Sequence, residues 1–302
     1  MNFAPILLFT HTRLKHTRQT VEALQCNELS KSSDLIIYSD GARTDEEVVR
    51  VNSVRNYIST LTGFRSITIY HRPKNFGLAR SIKEGVTTTL HFHDRVIVLE
   101  DDMVTSPHFL TYMNEALDLF FDDPRVASVH GYVYPVRQTL PIAFFLPGAD
   151  CWGWATWRRA WNVFNPDGRY LLSELKRRNL IQAFDFNNTF FYSKMLQAQI
   201  EGKNDSWAIL WHASVFLEGM LTLYPGCSLV KNIGIDGSGI HCHHSDLYDV
   251  HLNTAPIDLT QIPVEPSVAA LSAFEGFFAR SRLGFPRKVL KRILGLFRRI
   301  AA

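Results

Sequence analysis

Between Arg95 and Met103 the chain reads Arg95-Val-Ile-Val-Leu-Glu100-Asp101-Asp102-Met103, an apolar run that ends abruptly in three carboxylates. Val96 to Leu99 leaves no polar side chain to face water, so it predicts a strand buried on both faces of a parallel sheet. Such sheets hold ligands in the crevice at the carboxyl ends of their strands. Three adjacent acids there repel one another. A hard divalent cation, Mg²⁺ or Mn²⁺, relieves that repulsion through carboxylate oxygens and bridges to a substrate's phosphates. A solvated acidic turn is the bland alternative. Ser106 and Pro107 then predict an N-cap and first helical residue, and Phe109, Tyr112, Met113, Ala116, Leu117 and Phe120 form one helical stripe.

Upstream, strands and helices alternate. Pro5–Thr10, Leu35–Tyr38 and Ile67–Tyr70 are the earlier strands. The helices after them carry Leu14, Val21 and Leu24; then Val51, Val54, Tyr57, Ile58 and Leu61 behind a Thr44/Glu47 capping box; then Leu78, Ile82 and Val86. Alternation of this kind predicts an α/β fold, a mostly parallel sheet with helices on both faces. Each strand leaves polar residues on the same edge: Thr10 and Arg13, Asp40, Arg72 and Asn75, then the acid triplet. Together they outline one crevice able to take a nucleotide. Asp40 is placed to accept from a base N–H, Arg13 to meet phosphate, and the acids to hold ribose and metal. A P-loop is absent. Gly234, Gly237 and Gly239 come too late for a dinucleotide fingerprint and read as a turn that lets backbone approach a ligand.

Composition narrows the class. The 302 residues, 46% hydrophobic and 20% charged, suit one α/β domain with an appendage. The net charge of +3 conceals a basic tail: Arg280, Arg282, Arg287, Lys288, Lys291, Arg292, Arg298 and Arg299, with no acid after Glu275. The rest is slightly acidic, which argues against a nucleic-acid-binding surface. The opening lacks an export-signal pattern, no window has the roughly 18 apolar residues of a membrane span, and Cys26, Cys151, Cys227 and Cys242 are scattered. A cytoplasmic location with reduced thiols is expected.

The run Val96-Ile-Val-Leu-Glu-Asp-Asp-Met with Ser106-Pro-His-Phe-Leu resembles the acidic metal motif of GT-A glycosyltransferases, in particular N-acetylglucosaminyltransferase I and family 2-like sugar transferases. Pro5-Ile-Leu-Leu-Phe-Thr-His-Thr-Arg13, Ser39-Asp40-Gly41 and Phe145-Leu-Pro-Gly148 through Gly153-Trp154 are similar to further segments of that family. The resemblance spans roughly residues 3 to 245 and implies a GT-A domain over 1–255. Its nucleotide-sugar half would be 1–130 and its acceptor half 131–255, leaving 256–302 as linker and tail. It implies an inverting, metal-dependent glycosyltransferase, using a nucleotide diphosphate sugar as donor and a glycan or lipid-linked acceptor. By the same resemblance Asp102 is the metal ligand, Glu100 and Asp101 contact the nucleotide, Asp40 the base and Arg13 the base or diphosphate, while Thr10 and Asn75 join the nucleotide contacts from the reading of the strand edge. His241 is the late histidine that reaches the metal or diphosphate, with a surface histidine cluster as its alternative. The family carries Asp-Asp-Trp where this chain has Asn204-Asp205-Ser206-Trp207, so the catalytic base falls on Asp205 or on the position of Ser206, with Glu218 as a weaker alternative.

The acceptor half is rich in tryptophan. Trp154, Trp157 and Trp161 fall at helical spacing, which suggests core packing. Sugars offer apolar ring faces that stack on indole, so Trp152 or Trp154 near the Gly153 turn is a candidate acceptor contact. Asp150 either bonds a sugar hydroxyl or caps a helix. In the tail, Val289, Leu290, Ile293, Leu294, Leu296, Phe297 and Ile300 oppose the basic side, as in a helix lying on an anionic membrane surface, or else packed on the domain.

Overall fold

The computed structural model describes residues 3–236 and 245–282. The first half is a series of strand–helix units: β1 (Ile6–Thr10), α1 (Leu14–Gln25), β2 (Asp34–Ser39), α2 (Val48–Ile58), β3 (Ser66–His71), α3 (Leu78–Phe92) and β4 (Arg95–Glu100). There follow β5 (Met103–Thr105), α4 (Phe109–Leu119), β6 (Val126–His130), β7 (Ala143–Pro147), β8 (Trp154–Trp157) and α5 (Arg158–Trp161). The chain continues through α6 (Gly168–Arg177), α7 (Ile181–Phe184), α8 (Tyr192–Ile200), α9 (Trp207–Leu217), β9 (Leu221–Pro225), β10 (Val230–Asn232) and a helix α10 over 268–282.

The main sheet has the order β3-β2-β1-β4-β8-β6-β9-β7. β3, β2, β1 and β4 are mutually parallel, as are β6 and β9, while β8 runs against both β4 and β6 and β7 runs against β9. The sheet is therefore mostly parallel, as the alternation predicted. Val96 to Leu99 are at most 1% exposed, which accounts for a strand with no polar residue: helices cover both faces. β5 and β10 form a separate two-stranded ribbon beside the end of β4. α9 is apolar on all sides and buried along its length, because it lies between two cores, one around the main sheet and one around Phe144, Phe184 and Phe274.

Several local expectations are corrected. The box at Thr44 does not close, since the Glu47 carboxylate accepts from the Arg43 N–H at 3.0 Å instead. Helix α4 starts at Phe109, later than the Ser106-Pro107 signal, because the Ser106 hydroxyl donates to the Asn253 carbonyl at 2.6 Å and ties a turn down ahead of the helix. Trp154 and Trp157 lie on strand β8, not on a helix, so their i,i+3 spacing sends them to opposite faces. Trp157 donates its indole N–H to the Leu117 carbonyl of α4, while Trp154 stacks with Trp207 of α9. Residues 256–282 are packed rather than linking: Ile257 and Leu259 join the first core, and Ala270, Phe274, Phe277 and Phe278 the second. Among the described residues no helix is long and apolar enough to cross a membrane, and Cys26, Cys151 and Cys227 are unpaired.

Candidate active site

The strand order reverses between β1 and β4, and Phe9 is paired with Glu100 at that switch point. Open α/β sheets bind ligands in the crevice that such a reversal creates. Thr10 and Arg13 leave β1 there, and Glu100, Asp101 and Asp102 leave β4. Burial, reinforced by Asp102 and Asp101, pushes the Glu100 carboxyl up to about 8. Burial also raises Asp101, to about 6, against the pull of Arg13. Arg13 answers the crowding: its Nη2 donates to Asp101 Oδ1 and, at 2.8 Å, to Asp102 Oδ2. Burial alone would lower the Arg13 guanidinium, but the charges of Asp101 and Asp102 outweigh it and hold it above its ordinary value.

Asp102 is 7% exposed, and its Oδ1 is buried with no hydrogen-bond partner. Buried carboxylate oxygens are costly when unpaired, so an orphan beside two further acids fits a cation site. Backbone closes the other side. The Ile233 N–H donates to the Asp102 carbonyl at 2.9 Å, and a β-carbon at Gly234 would lie 2.0 Å from Asp102 Oδ2 and 2.9 Å from Arg13 Nη1. Only glycine lets the β10 turn approach this closely. Among the described residues no three His, Cys, Asp or Glu side chains form a ready cage. A single carboxylate suits Mg²⁺ or Mn²⁺, which commonly complete their shells with diphosphate oxygens and water. His16 and Asp236 pair at 3.1 Å, carrying the chain beyond the turn back onto α1.

The structure revises the role expected of Asp40. Its Oδ1 accepts from the N–H groups of Gly41 and Phe76, at 2.9 and 2.8 Å, and its Oδ2 from Gly77 N–H and Asn75 Nδ2, both at 3.0 Å. A carboxylate offers about four acceptor positions, so Asp40 has none left for a base. Asp40 and Asn75 instead pin the 75–77 turn against β2. Arg72 stacks over Phe76 at 4.5 Å and pairs with Glu84 at 3.1 Å. Thr10 Oγ1 is buried without a partner at the end of β1.

Across from the acids runs the segment Asp150–Gly153. Gly153 has φ +67°, a left-handed conformation suited to glycine, and a β-carbon there would lie 2.7 Å from Val230 and 3.3 Å from Leu99. The Gly131 N–H donates to the Gly153 carbonyl at 2.7 Å, and the Trp152 N–H to His130 Nε2 at 3.0 Å. Burial, then the charges of Glu100, Asp150 and Asp102, raises the Cys151 thiol well above its usual range. Asp150 is no helix cap: its carboxylate accepts from Tyr192 and Tyr224 hydroxyls at 3.3 and 2.9 Å. These tyrosines and His130 come from separate elements and carried no sequence signal of their own. Trp154 is 1% exposed within the indole cluster, whereas Trp152 is half-buried.

Asp205 is exposed and immediately precedes α9, whose cap is the Ser206 hydroxyl accepting from the Ile209 N–H. Trp207 stacks on Trp154 at 5.4 Å, and Trp154 pairs with Val98 of β4, so the start of α9 lies on the edge where the acids emerge. Glu218 is the C-cap of the same helix, about 16 Å away along the axis. The structure therefore places it at the opposite edge of the sheet from the acids. His241 lies outside the described residues.

No family model matches this chain, and no curated protein matches its sequence. Among solved structures it is similar to the mannosyltransferase PcManGT from Pyrobaculum calidifontis in complex with GDP-Man and Mn²⁺, at 12% identity and TM-score 0.41, covering 71% of this chain and 70% of that one. It is also similar to residues 1–349 of S. aureus TarS, at 11% identity and TM-score 0.36, covering 73% and 60%. A cytidylyltransferase from Leptospira borgpetersenii follows at 12% identity and TM-score 0.31, covering 52% and 61%. Likenesses this loose identify neither a donor nor an acceptor.

Proposed function

We propose that this chain is a metal-dependent, inverting glycosyltransferase that moves a hexosyl or N-acetylhexosaminyl group from a nucleotide diphosphate sugar to a glycan or lipid-linked acceptor, in the manner of the N-acetylglucosaminyltransferase I and family 2-like enzymes. The observation that carries the reading is Asp102: a buried carboxylate with an orphaned oxygen, at the carboxyl edge of a parallel sheet, faced by Arg13 and by the backbone at Gly234. In this reading Asp102 holds the Mn²⁺ or Mg²⁺, with His241 as a second contact. Bound there, the cation supplies positive charge to the departing diphosphate.

The protein's own groups do the rest. Arg13 adds a fixed positive charge on the diphosphate side. Glu100 and Asp101, with Thr10, line the nucleotide crevice. Asp205, at the same edge, takes the proton from the attacking acceptor hydroxyl. Trp152 and Asp150 hold the acceptor sugar. The nucleotide half is 1–130 and the acceptor half runs from 131 through α10, while the basic tail binds an anionic membrane surface.

Incubating the full chain with a panel of nucleotide sugars and Mn²⁺ tests the proposal. Release of nucleoside diphosphate, abolished by EDTA, is the expected result. Release of pyrophosphate from a nucleoside triphosphate and a sugar phosphate would instead make the protein a nucleotidyltransferase. Tight nucleotide binding with no turnover on any donor would make it a binding protein.

A further inference from the structure

Asp150 sits among hydroxyls and rings without a cation. Its two carboxylate oxygens accept from Tyr192 and Tyr224, and among the described residues no lysine or arginine pairs with it. The imidazoles beside it, His130 and His212, are 1% and 3% exposed, and burial holds both below the ordinary histidine value, His130 at about 4. They are neutral at physiological pH and offer no counter-charge. Of the carboxylate's four or so acceptor positions two are used, and Asp150 is only half-buried.

Beside it the Trp152 ring is held edge-on by Tyr132 at 4.7 Å and by Tyr248 at 5.7 Å with planes 90° apart. A half-buried indole two residues from a half-buried carboxylate with unused acceptor positions matches a pyranose, whose C–H face stacks and whose neighbouring hydroxyls donate. Charge on the rim points the same way. Asp246 and Asp249, which flank Tyr248, are exposed, and Lys231 is paired with Asp249 at 2.6 Å.

We infer that the Asp150–Trp152 pocket accepts an uncharged pyranose of the acceptor and excludes sugars carrying a carboxylate, sulfate or phosphate. This names the substrate class of the transferase site proposed above and rests on that reading for the word acceptor. Two hydroxyl donors fill the remaining acceptor positions of Asp150, whereas an anionic substituent meets a carboxylate that no lysine or arginine among the described residues neutralises.

Saturation-transfer NMR on the full chain tests this. The probes are the methyl glycosides of glucose, galactose, mannose and N-acetylglucosamine, set against methyl glucuronide and methyl glucoside 6-phosphate, with uridine or guanosine diphosphate and Mn²⁺ present. At least one neutral glycoside should bind, with the anionic ones weaker by about tenfold or more. Asp150→Asn preserves the volume and removes the charge, so it should narrow that gap; Trp152→Ala should lose the signal altogether. The neutral signal should survive replacement of the diphosphate by an intact nucleotide sugar, and its displacement would overturn the acceptor placement. Should Asp150→Asn not fold, the wild-type comparison of neutral and anionic probes still decides. An anionic glycoside bound as well as its neutral partner, an unchanged gap in Asp150→Asn, or silence from every neutral glycoside overturns the inference. Binding of the diphosphate is read in the same samples. Its loss, with neutral glycosides still bound, would remove the transferase reading and leave the pocket's selectivity standing.

Discussion

Gly234 and Asp102, 132 positions apart in sequence, meet so closely that a β-carbon on the first would stand 2.0 Å from a carboxylate oxygen of the second. Gly234→Ala must displace Asp102, Arg13 or the β10 turn. Overpacking of this kind costs about 1–3 kcal/mol. The melting temperature should fall modestly, while Mn²⁺-dependent nucleotide affinity, measured by calorimetry, should drop by about tenfold or more. Unchanged affinity would mean that the turn is no part of the site.

Asp102→Asn removes one of three crowded carboxylates and keeps its shape. Nucleotide binding should lose its sensitivity to EDTA, and turnover should disappear, while circular dichroism stays that of the parent. A variant still responsive to EDTA would move the cation away from Asp102.

Asp205→Asn addresses the base. A general base contributes roughly 10² to 10⁴ in rate and little to ground-state affinity. Transfer should fall within that range with donor affinity unchanged, whereas Glu218→Gln, at the far end of α9, should leave both intact. Full transfer by Asp205→Asn would return the role to another group.

His130 sets a pH dependence of stability. Burial lowers its folded-state value to about 4, against an ordinary value of 6.5. Above 6.5 neither state takes the proton; as pH falls from 6.5 towards 4 the unfolded chain is protonated and the folded one is not, so stability is lost through that window. The loss amounts to about 3 kcal/mol, with His212 shifted in the same direction. Urea midpoints at pH 7 and pH 4.5 read this difference, and His130→Gln should flatten it. An equal slope in parent and variant would assign the acid sensitivity elsewhere.

The tail prediction takes its boundary from the structure. Phe277 and Phe278 are buried in the second core and helix α10 runs to 282, so a cut near Ala279 would damage the body. Truncation after Arg282 should preserve the melting temperature and abolish co-sedimentation with phosphatidylserine vesicles at low salt, where screening is weak. Full-length protein that ignores such vesicles would end the membrane proposal, and lost stability would make the tail a packed element.

Much of the edge formed by β1 and β4 was legible because its signals are local. The four aliphatic residues before Glu100 identify a doubly covered strand, and the acids that follow stand at its carboxyl end. Glycines around 234 announced a close backbone approach without saying to what. The Asp150–Trp161 region was harder to read. Trp154, Trp157 and Trp161 mimic helical spacing because a short strand passes straight into a helix, and period alone does not separate the two. Asp40 read as free to recognise a base, since nothing in its neighbours shows that the 75–77 turn will fill its acceptor positions. Tyr192, Tyr224 and His130 converge on the Asp150–Trp152 segment from three elements, and no short window contains such a convergence.

The hydrogen bond from Gly131 to Gly153 has a mechanical consequence. It joins the end of β6 to the turn before β8, and the same turn rests on Leu99 of the strand that delivers the acids. The position of the Asp150–Gly153 segment relative to the end of β4 is thus held by one main-chain hydrogen bond and by the close seating of Gly153 against the Leu99 and Val230 side chains. Exchanging what Trp152 and Asp150 present therefore leaves that spacing intact, because it is fixed by residues that offer no functional group to a ligand.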